Sequence, residues 1–100
     1  MKRTACKLVT IIAEDELQSR LVEEVKTLGA RGYTVMKAMG QGLHHLRASE
    51  WEGENVVIEL LVSDEIARRI LDHLADRYFG RFSVTAYIVD AEVVRGEKFA

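Results

Sequence analysis

Proline is absent from this chain of 100 residues, and cysteine occurs once, at Cys6. A single thiol cannot close an internal disulfide, so a stapled secreted scaffold is excluded. Collagen-like and proline-rich classes fall with the missing proline. Neither charge dominates: 14 Lys and Arg face 16 Asp and Glu, for a net charge of −2. That balance lacks the basic excess that a nucleic-acid-binding face needs. No apolar run approaches the roughly 20 residues that span a bilayer. The basic Met1-Lys2-Arg3 is followed by an apolar stretch, Leu8 to Ala13, too short and too soon acidic for a signal peptide. The expectation is a protein of a reducing cytoplasm, with membrane association only through a partner. With 48% hydrophobic residues, enough apolar material remains to offset the entropy of ordering one compact unit over residues 1–100.

The chain divides by periodicity. Leu8-Val9-Thr10-Ile11-Ile12 is short, β-branched and closed by Glu14-Asp15-Glu16, which predicts a strand. Leu17, Leu21, Val25 and Leu28 recur at helical spacing up to Gly29, a helix stop. Tyr33 to Met39 is a second strand and Asn55 to Val62 a third. Ser63 caps a second helix with the stripe Ile66, Ile70, Leu71 and Leu74, and Gly80 is expected to end it. Phe82 to Val89 is a fourth strand, followed by a tail over 90–100.

The two halves align at an offset of about 49, with Ala13-Glu14-Asp15-Glu16-Leu17 matching Val62-Ser63-Asp64-Glu65-Ile66. A weak repeat of β-α-β units predicts an α+β, ferredoxin-like βαββαβ sandwich: a four-stranded antiparallel sheet with two helices on one face. If Val9, Ile11, Val56, Ile58, Leu60 and Val62 face the helices, then Leu8, Ile12, Met36, Val57, Leu61 and Val89 face the other way. Two helices cannot cover both sides, and only Thr10, Glu59, Ser83 and Thr85 supply the alternation a wet face needs. The open face predicts a homo-oligomer.

The polar connection 40–54 is long for so small a domain, which marks a binding loop. Gly40-Gln41-Gly42 suits either a nest of backbone N–H groups for an anion or a plain strand terminator. Arg47 is either a two-toothed clamp for phosphate or carboxylate, or a solvated charge among Glu50, Glu52 and Glu54. Trp51 is either a partner anchor or packed on the body of the oligomer. His44 and His45 stand side by side, a poor bite for one ion, so no metal is expected. Arg95-Gly96-Glu97-Lys98 is a solvated tail, or one that completes a phosphate site on a neighbouring subunit. An RNA-recognition module would show aromatics on the central strands, and Asn55-Val56-Val57-Ile58-Glu59-Leu60 has none. An acylphosphatase-like site would need a phosphate cradle where Glu14-Asp15-Glu16 stands. No Ser-His-Asp, Cys-His or paired-carboxylate constellation is convincing, so an enzyme is not expected.

Gly32-Tyr33-Thr34-Val35, Gly40-Gln41-Gly42, the segment Arg47-Ala48-Ser49-Glu50-Trp51-Glu52-Gly53 and Val93-Val94-Arg95-Gly96-Glu97-Lys98 together resemble the PII-like signalling proteins of inorganic-carbon metabolism. The likeness is to the carboxysome-associated PII-like proteins and to SbtB, partner of a bicarbonate transporter. It covers the whole chain, and the Arg47 to Gly53 motif is its specific part. The resemblance implies a trimer whose open sheet faces turn toward the threefold axis, with adenine nucleotides in the clefts between subunits. The loop 40–54 would be the T-loop, which changes order with ligand. Carried over, Gly40, Gln41 and Gly42 form the loop base and Arg47 reaches a phosphate. Tyr87 and Val89 line the adenine, and Arg95, Gly96, Glu97 and Lys98 close the pocket. His44, His45, Ser49 and Trp51 would face a protein partner: a bicarbonate transporter or a carboxysome component.

The ligands implied are AMP or ADP, with cyclic AMP and ATP behind them and bicarbonate as co-ligand. No bound cofactor is implied. Where SbtB loops carry a second arginine, this chain has His44 or His45, which implies weaker or pH-dependent phosphate affinity. A redox toggle through a paired-cysteine extension is not expected, and the loop lacks the tyrosine modified in classical nitrogen-regulatory members. The glycine-lysine phosphate loop before the fourth strand is also missing, which favours AMP or ADP over ATP with 2-oxoglutarate. The competing reading is a metal-handling trimer similar to the CutA proteins, built on His44, His45 and Cys6.

Overall fold

The computed structural model describes residues 1–39 and 54–95. In chain order they form β1 (Arg3–Glu14), a 3₁₀ turn (Asp15–Leu17), α1 (Gln18–Thr27), β2 (Thr34–Ala38), β3 (Asn55–Val62), α2 (Asp64–Arg77) and β4 (Thr85–Val94). One sheet carries all four strands in the order β2-β3-β1-β4. Every pairing is antiparallel and the registers run without a bulge. This is the ferredoxin-like sandwich expected from the repeat.

Both helices owe their limits to local chemistry. The N–H of Gly29 bonds to Lys26 O at 3.1 Å and that of Ala30 to Val25 O at 3.0 Å, which is the Schellman pattern of a helix end. It requires the left-handed φ of +120° that Gly29 adopts, and a Cβ there would lie 3.0 Å from Ile66 Cδ1. Ser63 Oγ accepts the Ile66 N–H at 3.3 Å, capping α2. A cap of this kind contributes about 1 kcal/mol. α2 stops at Arg77, three residues before the glycine expected to end it. The buried Tyr78 sets that end: Phe79 N–H turns back to Leu74 O, and Arg81 and Phe82 N–H both bond Tyr78 O. Gly80 has no positive φ.

One face of the sheet meets the helices. Val9, Ile11, Ala13, Val56, Ile58, Leu60 and Val62 bury against Leu21, Val25, Ala67, Ile70, Leu74 and Tyr78. Each Val, Leu and Ile among them contributes roughly 1.5–3 kcal/mol on leaving water. On the opposite face Leu8, Ile12, Val57 and Leu61 are half-buried, while Met36, Val89 and Tyr87 are 42, 46 and 48% exposed. Thr10, expected to wet that face, is buried between its register neighbours Glu59 and Tyr87. Ser83 precedes β4 and does not contribute to it.

Two strands outrun their expected limits. β1 begins at Arg3 instead of Leu8, and β4 runs five residues past Val89 to Val94. Beyond Lys7↔Val62, where β3 ends, Arg3–Cys6 and Ala91–Val94 continue as a two-stranded ribbon. Residues 90–94, expected as tail, are therefore strand, and the tail proper begins at Arg95.

Candidate functional site

The long connection leaves from the end of β2. Ala38 pairs with Asn55 across its base. Lys37 Nζ lies 3.4 Å from Glu54 Oε2, and the Asp15 N–H donates to Glu54 O at 3.0 Å. These contacts anchor the loop stem to the junction between β1 and α1. Gly40, Gln41, Gly42, His44, His45, Arg47, Ser49 and Trp51 lie outside the described residues, as do Gly96, Glu97 and Lys98.

Tyr87 and Val89 stand on the open face of β4, opposite Thr10 and Leu8. Arg95, exposed, follows at the far end of the ribbon with φ +70°. β2 and β4 are the two outer strands of the sheet, with β3 and β1 between them. At about 4.8 Å per strand the edges are roughly 14 Å apart. One protomer therefore does not bring the start of the loop beside Tyr87 and Val89. The loop stem and the Tyr87–Val89 stretch stand on opposite edges of the sheet.

A family model, nitrogen regulatory protein P-II, matches residues 6–98. The chain belongs to this family.

Members of the P-II family are regulatory signalling proteins, not enzymes. The chain is 49% identical to a protein from Thermus thermophilus assigned as PII-like in signalling, with all of both chains covered and a TM-score of 0.87. It is 25% identical to CPII, a nitrogen regulatory PII-like protein from Thiomonas intermedia K12, in a structure bound to ADP, AMP and bicarbonate. That match covers 98% of this chain and 96% of the other, with a TM-score of 0.83. A further CPII structure, bound to ADP, AMP and acetate, shares the fold at 21% identity, covering 99% of this chain and 98% of that one with a TM-score of 0.86.

Beside this P-II scaffold lies an open concavity of about 560 Å³ that holds none of the expected ligand residues. Ala5, Cys6, Lys7, Asp64, Asp90, Ala91 and Glu92 line it, between the ribbon and the start of α2. Lys7 bonds Asp90 and lies 3.9 Å from Asp64, whose other partner is Arg68 at 2.8 Å. The Asp90 hydrogen bond holds the Lys7 pKa above its usual range, and the Arg68 hydrogen bond holds Asp64 below its own. Cys6 is buried, and desolvation raises its thiol pKa. Among the described residues no group of three or more His, Cys, Asp or Glu is placed to hold a metal. No helix among them is long and apolar enough to cross a membrane.

The sequence reading missed one cluster. Glu24 Oε1 accepts the Tyr78 hydroxyl at 2.7 Å and pairs with His73 Nε2 at 2.6 Å. Arg20 Nε lies 3.5 Å from Glu24 Oε2, and its guanidinium carbon sits 5.0 Å from the centre of the Tyr78 ring and 5.4 Å from that of Phe82. This latch joins α1 to the end of α2. No spacing motif announces it, yet a signal was present: Glu24 and His73 are 49 residues apart, which is the offset of the internal repeat. The latch joins equivalent positions of the two half-repeats.

Burial works against ionisation of Glu24, but the hydrogen bonds from His73 and Tyr78 outweigh it, so its pKa falls below the ordinary 4.5. Desolvation, with the carboxylate beside it, pushes the Tyr78 pKa up to about 12. The two signs give two limbs. Glu24 stabilises the fold above its unfolded pKa, and that contribution is lost as pH falls through the lowered folded value. Tyr78 contributes fully below its ordinary value of 10, and its contribution is lost as pH rises toward about 12. Tyr78→Phe should cost about 1.5 kcal/mol at neutral pH, the worth of a hydrogen bond to a charged group. It should also flatten the alkaline limb. Urea denaturation of both proteins between pH 3 and 12 checks this, and an unchanged alkaline limb would remove Tyr78 as its source.

Proposed function

We propose that this P-II family chain is the protomer of a homotrimeric adenine-nucleotide sensor. AMP or ADP binds in the clefts between protomers, with bicarbonate as co-ligand. The loop 40–54 of one protomer supplies Gly40, Gln41, Gly42 and Arg47, and a neighbour supplies Tyr87 and Val89. The tail residues Arg95, Gly96, Glu97 and Lys98 close the cleft. Ligand binding shifts the order of the loop, which docks on or releases a bicarbonate transporter or a carboxysome component through His44, His45, Ser49 and Trp51. The sensor works in the cytoplasm and meets the membrane through the transporter. The output is control of bicarbonate uptake or carboxysome-linked carbon fixation.

The supporting observation is the sheet itself. Its open face carries Leu8, Ile12, Met36, Val57, Leu61 and Val89, and its strand order puts the loop stem and Tyr87 on opposite edges. The proposed trimer covers this face and sets the loop stem of one protomer beside Tyr87 of the next. CPII from Thiomonas, with ADP, AMP and bicarbonate bound, supports the ligand class. A ligand moves the loop only by binding its two states with different affinity, so the regulatory power equals that difference.

Calorimetric titration with AMP and ADP, with and without bicarbonate, tests this reading alongside sedimentation velocity. The expected result is a trimer that binds ADP and binds it more tightly with bicarbonate present. A monomer at working concentration, or a trimer indifferent to both nucleotides, overturns it.

A further inference from the structure

Register partners form rows across the open face of the sheet, and one row differs in kind from its neighbours. Thr34, Glu59, Thr10 and Tyr87 stand in line on β2, β3, β1 and β4. The row toward the loop stem is Met36, Val57, Ile12 and Thr85, and the row on the other side holds Leu61, Leu8 and Val89. Glu59 is already half-buried in the single protomer, on one of the two central strands. Among the described residues no ion pair or side-chain hydrogen bond engages its carboxylate.

Cations are missing from this face of the strands. Arg3 and Lys7 alternate in step with Val9 and so stand on the helix side, and Lys37 joins them there opposite Val56. The groups around Glu59 are Leu8, Thr10 and Ile12 on β1, Thr34 and Met36 on β2, and, one strand further, the phenol of Tyr87 on β4. The other carboxylate of the face, Glu14, lies two rows away opposite Asn55. Turning three such faces toward one axis brings three copies of the same row together and supplies no counter-charge from the strands. An ionised carboxylate closed off from water without a partner is far costlier than a neutral one, so neutralisation is the cheaper course.

We propose that each Glu59 takes up one proton from solvent as the open faces close, which couples assembly to pH. This inference rests on the trimer of the sensor reading. Once protonated, the carboxyl can donate as well as accept, and its register neighbours Thr10 and Thr34 are hydroxyl residues. The assembled state then holds three more protons than three separate protomers. Assembly therefore strengthens as pH falls and weakens as pH rises. Clefts that exist only between protomers inherit the same dependence, so nucleotide binding is favoured on the acid side.

Sedimentation equilibrium of the parent protein and Glu59→Gln, without nucleotide, tests the coupling from about pH 5 to 8. Glutamine keeps the shape and the hydrogen-bonding capacity but cannot ionise. The trimer association constant of the parent should fall with rising pH by up to about a thousandfold per pH unit, the limit for three protons. The Glu59→Gln constant should be flatter and should exceed that of the parent at the alkaline end. Groups elsewhere titrate in both proteins, so the difference between the slopes reports Glu59. Equal slopes in two trimeric proteins, or a Glu59→Gln trimer no tighter than the parent at the alkaline end, overturn the proposal and leave the trimer standing. A parent trimer that tightens with added potassium or magnesium at fixed pH, an effect lost in Glu59→Gln, puts a cation in the row and overturns proton uptake. Protomers alone, in both proteins at every pH, overturn the trimer reading and this inference with it. Dilution calorimetry of the parent in phosphate and in Tris, which differ in ionisation enthalpy, is the independent check. Dissociation should release protons, and a trimer that dissociates without releasing any overturns the proposal.

Discussion

Replacing Val57 with aspartate is expected to dissociate the assembly and abolish nucleotide binding while leaving the protomer folded. Val57 sits on the open face between Ile12 and Met36 in register. The helices pack on the other face, so the core of Val9, Ile58, Leu60 and their partners is untouched. Within the protomer the cost is a poorer strand former, about 1 kcal/mol. In an assembly that buries this face the same carboxylate loses its water and gains no partner, a penalty of several kcal/mol repeated in each copy. Sedimentation should show a protomer, circular dichroism should keep its helical signal, and ADP should give no measurable heat. A Val57→Asp protein that stays trimeric would show that another surface makes the assembly.

Replacing Arg47 with alanine should have the complementary effect, sparing the trimer and weakening the ligand. A hydrogen bond to a charged group is worth about 1.5–3 kcal/mol. ADP affinity should therefore fall about 10- to 100-fold, with adenosine, which lacks phosphate, unaffected. Arg47→Lys should recover only part of the loss, because an ammonium keeps the charge without the two-toothed geometry. Equal ADP affinity in Arg47→Ala and the parent protein would remove Arg47 from the phosphate site.

What the chain revealed in advance depends on where its physics is local. β3 was legible to the residue, because Asn55 to Val62 is a near-continuous apolar run between a polar loop and a capping serine. The end of α1 at Gly29 was legible too, since the left-handed conformation there demands glycine. The ends of β1 and β4 were not. Arg3 and Lys7 precede the strand expected from Leu8, and Asp90 and Glu92 fall in the expected tail, but on a two-stranded ribbon they alternate with Cys6, Ala91 and Val93 and pair across the strands, Arg3 with Glu92 and Lys7 with Asp90. Charge pairing across 83 residues has no local trace. Gly80 misled for a related reason: the packing of Tyr78 on Glu24 and Arg20, not the nearest glycine, sets the end of α2. The candidate site divides the same way. Its expected residues come from motifs in the loop, the tail and β4, whereas only the strand order shows that the loop stem and Tyr87 lie on different edges.

That division has a genetic corollary. If each cleft takes its loop from one polypeptide and its β4 from the next, a lesion in either element disables a cleft without disabling the polypeptide. A copy damaged at Arg47 still lends a sound β4 to its neighbour, and a copy damaged at Tyr87 still lends a sound loop. Two inactive alleles expressed together then rebuild intact clefts in mixed rings, and activity returns where neither allele alone has any.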